Sequence, residues 1–192
     1  MSIVKRIKKG EYGYRNYFKR RQLFLIALLA LFILAQLGAR FLTDSQSVKN
    51  ILTVMAIVTV LPTANLASPL VAIARFKTPP ESFYRDHAVY EEKYEMLYDL
   101  VLTTKDDVVP ADAAAVHPTG IYVYCVNPKI NVPRAERALN DLLRAQKLDP
   151  NLKLTTSLSA FDKRLKSLKP ASEYEDDGTV EYGVRTLKSL SM

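Results

Sequence analysis

The feature that most constrains this chain is a pair of long apolar runs separated by eight residues. Residues 23–42 read LFLIALLALFILAQLGARFL, and residues 51–74 form a second run of 24. At about 1.5 Å of rise per residue, twenty helical residues cover about 30 Å, the thickness of a bilayer's hydrocarbon core. Gln36 is the one polar residue inside the first run, and Arg40 lies near enough to its end to snorkel. A cleaved signal peptide starts similarly. Here, though, the leading basic segment is long, the apolar run exceeds the usual h-region, and no A-x-A site follows. The expectation is two retained spans joined by the polar loop TDSQSVKN, an antiparallel transmembrane hairpin.

Charge orients that hairpin. The chain holds 27 Lys/Arg against 20 Asp/Glu, a net +7, and the whole excess falls in residues 1–21. Lys5, Arg6, Lys8, Lys9, Arg15, Lys19, Arg20 and Arg21 stand there against Glu11 alone. The loop between the runs has only Lys49, with Arg40 beside it, whereas Arg75, Lys77 and Arg85 follow the second run. The Lys/Arg bias places both termini in the cytoplasm of a two-span protein of the cell membrane. The single cysteine, Cys125, forbids an intramolecular disulfide and suits a reducing compartment. Basic residues are not gathered elsewhere on the chain, so no nucleic-acid partner is expected.

Residues 1–21 interleave Ile3, Ile7, Tyr14, Tyr17 and Phe18 with the eight cations. That pattern reads as a basic interfacial segment on anionic headgroups, or as charges that only set topology. In the second run, Pro62, Asn65 and Pro69 stand at i, i+3 and i+7, and Ser68 precedes the last of them. Each proline frees a carbonyl four residues back, which Thr63, Asn65 or Ser68 is placed to satisfy. Three outcomes fit: a kinked continuous helix, a break with a restart at Pro69, or an ending near Leu66. The stripe carries no ionisable group, so it reads as a packing seam rather than a transport site.

Residues 77–170 form a small cytosolic α/β (α+β) domain, entered through KTPPES. Residues 81–99 have helical spacing, with Phe83, His87, Tyr90, Tyr94 and Leu97 on one side. Residues 100–103, 113–117 and 121–126 read as strands, the last two flanking a PTG turn. PRAERALNDLLRAQ is an amphipathic helix, 152–155 a short strand, and 157–168 a helix capped by Ser157 with Leu158, Phe161, Leu165 and Leu168 inward. The order is α-β-β-β-α-β-α. Residues 171–192 begin with the acidic turn SEYEDDG, after which TVEYGV is an edge strand or a disordered tail.

That order resembles the core of restriction-endonuclease-like nucleases, particularly nuclease-related modules of bacterial membrane proteins. The resemblance implies a metal-binding Asp, matched by Asp112, and an E-x-K on the next strand. Cys125 and Asn127 occupy those two positions, so the implied chemistry is missing. The run KNILTVMAIVTVLPTANLASPL, with the basic aromatic start, also resembles uncharacterised bacterial two-span membrane proteins with a small cytosolic domain.

Other chemistry is sparse. His87, Glu91 and Glu95 share a helical face at metal-ligand spacing, but such a face is ordinarily a salt-bridged surface. His117 reads as a turn residue, Cys125 as a buried apolar side chain, and Asp106, Asp107, Asp176 and Asp177 as acidic turns. No phosphate-binding glycine loop or nucleophile elbow occurs. The expectation is a non-catalytic interaction or assembly module without cofactor or metal. Its expected partners are the anionic lipid bilayer and either a protein partner or a second copy, met through the second span or the domain. A membrane-tethered hydrolase and a small-transporter or channel subunit are the alternatives.

Overall fold

The computed structural model describes residues 6–104 and 107–192. Lys5, an expected surface anchor, and Asp106 lie outside them. The chain divides into two compact units. One is Asn16–Arg75; the other joins the residues up to Arg15 to everything from Phe76 onward.

The first unit is a pair of helices, α1 (Tyr14–Leu42) and α2 (Gln46–Ala74). Each is long and apolar enough to cross a membrane. Among its described residues only Gln36, Ala56 and Ile73 are buried. α2 runs unbroken through Pro62 and Pro69, so neither the break at Ser68 nor the ending near Leu66 occurs. Hydroxyls near the first proline bond back one turn, Thr59 Oγ1 to the Met55 carbonyl and Thr63 Oγ1 to that of Thr59, rather than to the Val58 carbonyl that Pro62 frees.

The second unit is a four-stranded sheet between two layers of helices. Its strands are β1 (Glu95–Thr103), β2 (Val108–His117), β3 (Gly120–Tyr124) and β4 (Leu152–Thr155), in spatial order β1-β2-β3-β4. The first three form an antiparallel meander. β4 joins β3 in parallel, after the crossover that parallel pairing requires, here α4 (Val132–Ala145). At the β2–β3 turn Gly120 adopts φ +140°, and a side chain there would strike the Asn151 carbonyl at 2.6 Å, so only glycine fits. Pro110, inside β2, faces Val101, whose N–H points away to Ser191 Oγ. That pair exchanges no ladder bond, and the proline is tolerated.

One face of the sheet packs Leu100, Leu102, Val109, Val123 and Leu152 against Ala135, Leu139 and Leu143 of α4 and Leu187 of α6 (Thr179–Leu190). The other packs Tyr98, Ala113, Ala115 and Tyr124 against Phe83 of α3 (Glu81–Ala88) and Phe161 and Leu165 of α5 (Leu158–Ser167). The expected element order is present, with an added C-terminal helix.

Three expectations change here. The helix expected over 81–99 stops at Ala88, and its second half becomes the turn before β1. Tyr94, at the end of that turn, and Leu97, on β1, are buried all the same. TVEYGV is neither strand nor disordered; it opens α6, with Val180, Gly183, Val184 and Leu187 at helical spacing toward the sheet. Finally, the interfacial segment does not end as a unit at Arg21, since residues up to Arg15 belong to the α/β unit.

Candidate functional site

Two features of the α/β unit concentrate chemistry, and they share one wall. The first is a buried cluster on β1 and β2. Along β1, Leu97 faces the α4/α6 side, and so do Leu100 and Leu102; along β2, Val116 and Ala114 face it, and so do Ala111 and Val109. The alternation therefore changes phase on both strands at Asp99 and Asp112, which fall in the gap between the pairs Tyr98–Ala113 and Leu100–Ala111. Asp99 sits at φ +56°, in the left-handed region that Asp tolerates better than most residues.

Arg15, on the first turn of α1, fills this irregularity. It is 1% exposed, and its Nη2 donates to the carbonyls of Leu100 and Ala111, both at 2.9 Å. Its Nη1 donates to Asp112 Oδ1 at 2.7 Å and to the Lys77 carbonyl at 2.9 Å. Asp112 Oδ2 accepts the Val126 N–H at 2.6 Å. Asp99 Oδ2 accepts from the Gly13 N–H and Thr78 Oγ1, while its Oδ1 lies 3.7 Å from Arg15 Nε. One buried guanidinium thus serves two buried carboxylates. Burial outweighs Arg15 and these hydrogen bonds at Asp99 and holds its carboxyl above the ordinary range. The cluster ties the chain at the start of α1 (Gly13, Arg15) to the chain after α2 (Lys77, Thr78). Tyr12 adds a third tie, its hydroxyl donating to the Pro79 carbonyl.

The tied segment 77–80 is one wall of the second feature, a cleft of about 700 Å³. Its buried aromatic side is a stack in which Phe83 lies 4.3 Å from His87 and 5.6 Å from Tyr124. Val126 and Leu158 line it as exposed aliphatics, with Lys77, Asp86 and Lys166 as exposed charges. His87 contacts the Phe83 carbonyl through Nδ1 at 2.7 Å and Asp162 Oδ1 through Nε2 at 2.9 Å. Both ring nitrogens face oxygen acceptors, so both bonds form together only when the ring is doubly protonated. The pair fixes the junction of α3 and α5 at the side of the cleft.

The residues singled out from sequence are dispersed. Arg15 is the correction among the expected lipid anchors: it is enclosed by acceptors and unavailable to headgroups. Arg6, Lys8, Arg20 and Arg21 are exposed, Lys9 Nζ donates to the Ser191 carbonyl, and Lys19 Nζ to that of Ala74. Pro62, Asn65 and Ser68 are exposed on α2, and Pro69 is half-buried. His87, Glu91 and Glu95 do not share a helical face, because α3 ends before Glu91; among the described residues no cluster of metal-ligating side chains forms. Cys125 is buried, and burial pushes its thiol up to about 11. His117 lies at the β2–β3 turn; it accepts the Thr119 N–H and faces the Lys169 carbonyl, and burial lowers its pKa. Leu158, expected inward, is a rim residue of the cleft. Sequence reading missed Asp162 and the cleft, since Asp162 on α5 signals nothing until α3 is packed beside it.

The chain matches no family model, and no curated protein or solved structure shows significant similarity to it.

Proposed function

We propose that this is a two-span membrane protein that holds its α/β domain at the cytoplasmic face as a non-catalytic interaction module, with the cleft as its contact surface. One observation carries the reading. The chain before α1 and the chain after α2 are built into the same folded unit, tied through Arg15 and Asp99. If the pair crosses a membrane, both flanks emerge on one side, as two spans require. The nearly complete outward exposure of α1 and α2 supports lipid as their surroundings, since a core helix of a water-soluble domain is mostly buried. The Lys/Arg excess before α1 supports the cytoplasm as the side of the domain. The binding role is favoured over hydrolysis because Asp112, the one acid matched to a metal-binding position, has both oxygens engaged.

The arrangement is tested by single cysteines at Ser45 and Ser172, with the buried Cys125 left in place. On intact cells an impermeant maleimide is expected to label Ser45→Cys, and Ser172→Cys only after permeabilisation. Labelling of Ser172→Cys from outside would refute the cytoplasmic placement.

A further inference from the structure

The cleft has features that select its ligand. Among the described residues of the α/β unit the exposed large aliphatic side chains are Val89 (62% exposed), Val126 (60%) and Leu158 (39%), and two of these three line this one cavity. Behind them lie the buried rings of Phe83 and Tyr124, so the cavity offers an apolar-aromatic surface of ligand-binding size. The charges around it are unevenly engaged. Asp162 is occupied by His87, while Lys77, Lys166 and Asp86 have no ion-pair partner among the described residues. The two unpaired lysines offer counter-charge to a ligand whose head carries phosphate. The wall residue Lys77 follows the last residue of α2 by three positions. With α2 crossing the bilayer, covalent connection alone keeps Lys77 within about 10 Å of the end of the span.

We propose that the cleft binds a glycerophospholipid, taking one acyl chain between Val126, Leu158 and the Phe83–Tyr124 surface and its phosphate beside Lys77 and Lys166. This rests on the membrane reading above and names the partner of the same surface. The segment 77–80 that meets the lipid is the one held by Arg15, Asp99 and Tyr12, so the ties that join the two chain flanks also shape the site.

The test places p-benzoylphenylalanine in the full chain at Leu158, at Val126, or at the exposed control Val89, which does not line the cleft. Cells are irradiated and the mass of each adduct is read. Lipid-mass adducts at 158 and 126, with far fewer at 89, are expected. Reversing both cations (Lys77→Glu with Lys166→Glu) should lower the adduct yield at 158 roughly fivefold, the factor that corresponds to about 1 kcal/mol. An unchanged melting curve would show the variant folded. Equal yields at all three positions would mean simple nearness to the bilayer and would overturn the site. Protein-mass adducts would replace lipid with a polypeptide partner, absence of adducts would remove the ligand, and indifference to charge reversal would remove the phosphate. The maleimide labelling is independent: if it holds while the adducts fail, the membrane reading stands and the lipid site falls.

Discussion

Arg15 shows how much one side chain determines in this domain. Its guanidinium compensates an irregularity that β1 and β2 share, where two carbonyls and two carboxylates converge away from water. The fork geometry matters, since Nη1 and Nη2 each meet two acceptors at once, which a lysine ammonium on a flexible stem does not reproduce. Arg15→Met would leave Asp99 and Asp112 buried without a counter-charge, at a cost of roughly 3–5 kcal/mol. Thermal unfolding of the full chain in detergent should show a large fall in midpoint. Arg15→Met combined with Asp112→Leu and Asp99→Asn should recover much of it, because the charges are gone and asparagine accepts the left-handed backbone at 99. An undisturbed midpoint in the single variant would mean the cluster is dispensable. From sequence, Arg15 is one cation among eight. Only the facing acids on a distant pair of strands distinguish it.

At the scale of elements, the sheet is closed at both edges by side chains and termini. At β4, Asn140 exchanges hydrogen bonds with the Leu152 N–H and carbonyl, and Glu136 Oε2 accepts the Leu154 N–H. Along β1, the Tyr98 N–H donates to the Gly10 carbonyl, and the Val101 peptide bonds Ser191 and Met192. Strand edges left open invite pairing with other chains, and here both are occupied. α6 lies against the same sheet, and a Cβ on Gly183 would stand 3.2 Å from Val116 Cγ1. Gly183→Leu should therefore lift α6 and destabilise the protein by about 1–3 kcal/mol, read as a lower urea midpoint. An unchanged midpoint would mean the helix is only loosely held. The hexapeptide TVEYGV alternates well enough to suggest a strand. The helical stripe becomes visible only when Leu187 and Leu190 are counted with it.

At the scale of the whole molecule, the α/β domain is discontinuous in sequence. Residues before the first apolar helix complete a unit whose remainder begins after the second. A fragment 77–192 lacks Arg15, Gly13, Tyr12 and the Gly10 carbonyl, so two buried acids and an open strand edge remain. It should melt without cooperativity or aggregate, whereas the same fragment with residues 6–15 fused through a flexible linker should regain a cooperative transition by circular dichroism. Cooperative, equally stable melting of 77–192 alone would show that the N-terminal arm adds nothing.

What the sequence determined by itself is what local pattern encodes. The two apolar lengths, the element order and the amphipathic faces around Leu139 and Phe161 all follow from hydrophobic spacing within a few turns. So do the proline-containing turn at 118 and the enclosure of Cys125. What only the tertiary structure decided are partnerships across 60 to 100 residues: Arg15 with Asp112, His87 with Asp162, Lys77 with Lys166 around one cleft. Periodicity reports which face a side chain takes. It does not report which distant side chain meets it there. A buried charge and a binding cleft both arise from such meetings, so neither is visible before the chain is folded.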